Sequence, residues 1–132
     1  MSLIWSFASE DPIQALAERG AFTTALESHA GRAVNGFTAA IVFAELVGNV
    51  VRHAPGPIRV TLEFDGVVAV LTVCDKGSGF VFKPTLPSEL SESGRGMFLV
   101  SEFASDVSVS RNGGSENAVR ATFALQPISA AE

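Results

Sequence analysis

Three short groups of residues, in a fixed order along the chain, have the types and spacings that could do chemistry. The first is Glu45-Leu46-Val47-Gly48-Asn49-Val50-Val51-Arg52-His53, in which a carboxylate and a carboxamide stand four residues apart and His53 four further on. On a helix, positions i, i+4 and i+8 fall roughly on one face. Carboxylate and amide oxygens are hard donors of the kind Mg²⁺ takes together with phosphate oxygens. A carboxylate beside phosphates can instead accept a proton from an attacking hydroxyl or water. The same stripe also fits a solvated face or a set of buried hydrogen bonds.

The second group, Asp75-Lys76-Gly77-Ser78-Gly79-Phe80, follows the apolar run Val70-Leu71-Thr72-Val73-Cys74. An ionised carboxylate only accepts hydrogen bonds, so Asp75 suits an exocyclic amine such as that of adenine. Gly77 and Gly79 would let backbone approach a flat base closely. An ordinary turn after a strand has the same spelling. The third group, Gly94-Arg95-Gly96-Met97-Phe98-Leu99-Val100, opens an apolar helix. Exposed N–H groups at a helix start, with glycines allowing approach, suit phosphate, and Arg95 could add a charged fork. A P-loop spelling is absent.

Other chemically capable residues are isolated. His53 stands at a helix end, where its ring meets the negative end of the dipole. His29 is remote from it, and no second His or Cys lies at metal-ligand spacing. Cys74 is the single cysteine, so no internal disulfide forms, as in a reducing cytosol, and it reads as a small hydrophobe in a strand. Ser101, Ser105 and Ser110 show no nucleophile elbow.

The elements that must position these groups follow from periodicity. Leu3 to Phe7 alternates as a short strand. Asp11-Pro12 starts a helix carrying Ile13, Leu16, Phe22 and Leu26, broken or bent near Gly20. Gly31 to Gly36 is a loop. A largely apolar, buried helix runs from about Thr38 to His53 and ends at Pro55-Gly56-Pro57. Ile58 to Phe64 alternates, Asp65-Gly66 signals a two-residue hairpin, and Val67 to Cys74 returns. Lys83 to Ser93 reads as a mobile loop, Gly94 to Ala104 as a third helix, and Val107 and Val109 as the start of a strand. Asn112-Gly113-Gly114 is a turn, Val119 to Leu125 the last strand, and residues 127–132 a frayed tail. About three helices and five strands, with hairpins between adjoining strands, give an α/β fold: a two-layer α/β sandwich with the helices on one face of a mixed sheet.

Composition narrows the classes. The 132 residues favour one domain spanning residues 1–132, with 47% hydrophobic and 17% charged residues. A net charge of −5 without a Lys/Arg cluster argues against nucleic acid as a partner. No apolar run is long enough for a membrane span, and Met1 to Trp5 lacks the pattern of a signal peptide, which points to the cytoplasm.

Taken together, from about Phe37 to Phe123, the three groups resemble the N, G1 and G2 boxes of the GHKL ATPase superfamily. Glu45 to Ala54, spelled E-L-V-x-N-x-x-x-H-A, and G-R-G-M-F-L-V resemble in particular the bacterial anti-sigma-factor serine kinases. That resemblance implies the Bergerat fold with ATP between helices and a lid, here about Lys83–Ser93. It implies that Asn49 coordinates Mg²⁺ and that Glu45 is the general base toward a serine or threonine hydroxyl of a partner. It further implies that Asp75 binds the adenine amino group, with Gly77 and Gly79 shaping that pocket. Gly94, Arg95 and Gly96 would contact phosphates, and Met97 belongs to the same nucleotide-binding box. The implied partners are a STAS-domain antagonist, which is phosphorylated, a sigma factor, which is sequestered, and a second copy of the chain. Many family members have a Gly-Thr pair in the last strand region; Arg120-Ala121-Thr122 stands here, leaving Thr122 as the candidate on the adenine side. Two other readings stay open: a nucleotide-gated binding module without phosphotransfer, and the catalytic domain of a two-component histidine kinase.

Overall fold

The computed structural model describes residues 1–54, 56–77, 92–112 and 116–125, with the backbone alone for 92–97 and 112. Strand β1 (Ser2–Ser9) leads into a single helical turn, α1 (Ile13–Leu16), and helix α2 (Arg19–Ala30). Asp11 Oδ1 accepts the Ile13 N–H at 3.0 Å and Pro12 takes helical angles, so the Asp-Pro start forms as expected. The break that follows falls at Ala17–Glu18, and Gly20 lies inside α2.

Helix α3 (Gly36–His53) starts two residues before the sequence suggests. Asn35 caps it: its Oδ1 accepts the N–H groups of Phe37 (3.0 Å) and Thr38 (3.2 Å), two of the donors that a helix start leaves without partners. Strands β2 (Ile58–Phe64) and β3 (Val68–Asp75) form the expected hairpin, shifted by one residue. Asp65 Oδ1 accepts from Val67 and Val68 N–H, which makes Gly66 (φ 90°) and Val67 the two central turn residues. Helix α4 (Glu92–Phe103) and strands β4 (Asp106–Asn112) and β5 (Glu116–Ala124) complete the chain.

The sheet order is β1-β2-β3-β5-β4, and every pair is antiparallel, so the sheet is not mixed. The connection through α4 does deliver β4 in the same direction as β3. The β4–β5 hairpin then folds β5 between them, and among the described residues no parallel pair forms. Alternation puts Val60 and Leu62, Leu71 and Val73, and Val119, Ala121 and Phe123 toward the helices, all buried. Phe22 of α2 stacks on Phe43 of α3 (4.9 Å between centroids), with Trp5 of β1 edge-on to both at 6.1 Å. This aromatic group ties α2 and α3 to the β1 edge of the sheet. Among the described residues no helix is long and apolar enough to cross a membrane.

A groove of about 1110 Å³ is lined by residues from the start of α3, including Asn35 to Thr38, and from the end of α4, including Glu102 to Ala104. The two helices pack together, so this shared end sets them antiparallel. Counting back along the 12 residues of α4 at about 1.5 Å each puts its N-terminus roughly 18 Å along α3, near Gly48 and Asn49.

Candidate functional site

The chemistry gathers at the other end of the helical layer from that groove, where α3 finishes, β3 finishes and α4 begins. Asn49 is 3% exposed and Asp75 2% exposed, although both are polar. Glu45, one turn before Asn49, is half-buried. Ala54, which ends α3, lies directly against Gly77, two residues past Asp75: a Cβ on Gly77 would come within 2.6 Å of the Ala54 Cβ. The glycine is therefore required by helix–loop packing, not only by approach of a ligand. Its φ is not positive, so steric room rather than backbone freedom selects it.

Asp75 is held from one side. Its Oδ1 accepts the Gly77 N–H at 2.8 Å and Asn117 Nδ2–H at 3.0 Å. Among the described residues nothing donates to Oδ2. No described side-chain polar atom is both enclosed and unbonded, so Oδ2 is reached from outside. A buried carboxylate with one saturated and one open oxygen is an acceptor poised for an external N–H.

Arg52, one turn past Asn49, folds back so that its Nη2 donates to Asn49 Oδ1 at 2.7 Å. Gly48 makes room for this guanidinium, since a Cβ there would sit 3.2 Å from Nη1. By the helix-length count, the backbone amides at the start of α4 fall toward the same end. Helix α4 begins at Glu92, so Gly94 lies in its first turn and Gly96 just past it, rather than ahead of the helix. Ser93 and Glu92 correspondingly belong to α4 and not to the expected 83–93 lid. Gly79 and residues 83–91 lie outside the described residues, as do the side chains of Arg95 and Met97.

Thr122 is not part of this end. It pairs with Val70 and Asp106, five residues along β5 from Asn117 and in the opposite phase of alternation, so it faces away from the helices. The polar residue that β5 does bring to Asp75 is Asn117, which the sequence reading missed. It lies in phase with Val119, Ala121 and Phe123, a signal hidden by starting the strand at Val119. Arg52 was likewise passed over, although the three-residue spacing to Asn49 puts the two within reach on a helix. His53 is exposed in the last turn of α3. His29 is exposed on α2, edge-on to Phe64 at 5.8 Å, far along the sequence from this end.

On the far face of the sheet, Arg59 Nη2 donates to Glu116 Oε1 at 2.8 Å and contacts Cys74 Sγ at 3.7 Å. Burial pushes the Cys74 thiol up from its ordinary pKa, outweighing the pull of the nearby Arg59 cation. The cysteine is 5% exposed and behaves as the small hydrophobe expected of it.

Among the described residues no three His, Cys, Asp or Glu side chains cluster to hold a metal. The donor set fits Mg²⁺ in another way. One amide oxygen, that of Asn49, with Glu45 a turn away, suits an ion that takes one or two protein ligands and fills the rest of its shell with phosphate oxygens and water.

The sequence matches the description "Histidine kinase-like ATPase domain" over residues 11–123. The chain belongs to this family. The fold of this histidine kinase-like ATPase domain is similar to solved structures. One is a histidine kinase, AdeS, of Acinetobacter baumannii, with a TM-score of 0.56 at 15% identity over 94% of this chain and 69% of that one. Another is the histidine kinase domain of the E. coli osmosensor EnvZ, with a TM-score of 0.54 at 18% identity over 100% of this chain and 94% of that one. At such identities the likeness concerns the fold. No curated protein matches the sequence. The GHKL relationship read from the three residue groups thus holds, and the sheet and helices have the fold of that class of ATPase domain.

Proposed function

We propose that this domain binds Mg-ATP and acts as a protein-serine/threonine kinase of the anti-sigma-factor type, in the cytoplasm and as a homodimer. Its substrate would be a STAS-domain antagonist, and the partner it sequesters a sigma factor. The observation that carries the reading is Glu45, a half-buried carboxylate one turn from the buried amide of Asn49 on the same helix. In this reading Asp75 Oδ2 accepts the adenine amino group, and the α4 N-terminus with Arg95 receives phosphates. Asn49 offers its oxygen to Mg²⁺, which would neutralise phosphate charge. Glu45 takes the proton of a seryl or threonyl hydroxyl as its oxygen attacks the terminal phosphorus and ADP leaves.

Phosphotransfer from labelled ATP to the purified STAS partner tests this. The expected result is a base-labile, acid-stable phosphoester, with transfer falling about 10²-fold or more in Glu45→Gln while nucleotide affinity holds. Unchanged transfer in Glu45→Gln would remove the base. An acid-labile phosphate instead would support the histidine kinase reading.

One observation favours the nucleotide-gated binding module as a second reading. The Asn49 oxygen that would face Mg²⁺ accepts from Arg52, so metal-nucleotide must displace or share that guanidinium. The end of α3 would then differ between nucleotide-bound and nucleotide-free states. Equal affinity for partner with ATP, ADP and no nucleotide would contradict this gating.

A further inference from the structure

Three strands present one row of polar side chains at the same level of the sheet. Asp75 of β3 pairs with Asn117 of β5, and Asn117 pairs with Arg111 of β4. All three side chains are linked. The Asn117 amide nitrogen donates to Asp75 Oδ1 at 3.0 Å and to the Gly77 carbonyl at 2.7 Å, and Arg111 Nη1 donates to Asn117 Oδ1 at 2.9 Å.

A primary amide has two N–H groups and one oxygen, and here each has a complementary partner. The flipped amide would set its oxygen against a carboxylate oxygen and a carbonyl oxygen, and its NH₂ against a guanidinium. Only one orientation is therefore stable, and Arg111 enforces it. Asn117 is 5% exposed, so this choice is made where an unmet polar group is expensive. One amide thus ties down both ends of the turn after β3, the Asp75 side chain and the Gly77 carbonyl. It saturates Oδ1 and leaves Oδ2 as the outward acceptor.

We infer that Asn117, locked by Arg111, is a positioning residue that aims Asp75 and sets selectivity for a purine bearing an exocyclic amino group. The inference rests on the nucleotide-binding reading above and adds to it the residues that enforce base choice. An aimed carboxylate rewards an N–H donor and repels an oxo group at the same place, so adenine is accepted and a 6-oxopurine refused. A carboxylate free to rotate would discriminate less, because it could turn its open oxygen to solvent.

The test measures affinity by calorimetry for ATP and for purine riboside 5′-triphosphate, which lacks the amino group, in the wild type, Asn117→Leu, Asn117→Asp and Arg111→Met. Melting curves accompany each variant. The wild type should prefer ATP by about tenfold or more, the worth of a hydrogen bond to a charged group. In Asn117→Leu and Asn117→Asp that ratio should fall to about threefold or less. Arg111→Met, at an exposed position of the edge strand β4, should lower the ratio part-way with little change in the affinity for the amino-less nucleotide, and keeps the test open if the buried variants do not fold. If the variants lower both affinities together and the ratio stays at its wild-type value, Asn117 is a structural tie and the inference fails while ATP binding stands. If the wild type binds neither nucleotide, the nucleotide reading and the inference fall together.

Discussion

Replacing Gly77 by alanine should damage the site more than the fold. A methyl at Gly77 would lie 2.6 Å from the Ala54 Cβ, 3.0 Å from the Ala54 Cα and 3.2 Å from Asp75 Oδ1. Ordinary carbon contacts need about 3.5–4.0 Å, so the end of α3 and the turn after β3 must separate by roughly 1 Å. Overpacking of this kind costs about 1–3 kcal/mol. Because the φ of Gly77 is not positive, alanine also recovers about 0.4–1 kcal/mol through the unfolded chain. The net destabilisation expected is about 1–2 kcal/mol, a fall of several degrees in Tm for a domain of this size. The same push acts on the Asp75 carboxylate, so affinity for an ATP analogue should drop by tenfold or more, on the order of 1.4 kcal/mol. Ala54→Gly removes the closest contact but leaves the backbone at 3.0 Å, so the double variant should regain part of the lost Tm and part of the lost affinity. Thermal melts and calorimetric titrations of the wild type, both single variants and the double variant measure this. A Gly77→Ala protein with wild-type Tm and wild-type affinity would refute the claim that the end of α3 packs on this turn.

Asn35→Ala removes the oxygen that caps two N–H groups of α3 and should lower stability by about 1 kcal/mol in urea unfolding, with nucleotide affinity unchanged. Asp65 has its carboxyl pKa held below the ordinary value by the N–H groups of Val68 first and then Val67. Its contribution is present above the unfolded carboxylate pKa of about 3.9 and lost as pH falls through the lower folded value. The Tm gap between wild type and Asp65→Asn should therefore be widest above about pH 4 and close toward pH 2, as read by melts across that range; a gap independent of pH would contradict the assignment.

What could be read from sequence was whatever local pattern dictates. The apolar stripe of α3, the alternation of Ile58, Val60, Leu62 and Phe64, and the Asp65-Gly66 turn announce themselves within a few residues, and the structure has them within one or two positions. The cap at Asn35 was hidden by the adjoining glycine, which reads as loop yet opens the helix. Sheet order is a long-range property: nothing local says that β5 inserts between β3 and β4 and so separates the two strands that run the same way. The site follows the same division. Glu45, Asn49 and Asp75 carry their chemistry in residue type and spacing. Asn117 becomes visible only once β5 pairs with β3, because its partner lies 42 residues away. Thr122 drew attention by type, and one step of strand alternation turns it to the wrong face. Gly77 carries one reason in the sequence, close approach of a ligand, and the fold adds a second that the sequence does not show, the packing of Ala54 against it.

In the proposed function Asp75 is the acceptor for the base of a bound nucleotide. Its most direct test is a calorimetric titration of a non-hydrolysable ATP analogue with Mg²⁺ into the wild type and Asp75→Asn. Saturable binding by the wild type that is lost or weakened at least tenfold in Asp75→Asn, with both proteins equally folded, is the expected result. Absence of saturable binding to the wild type, or equal affinity in the two proteins, would contradict it.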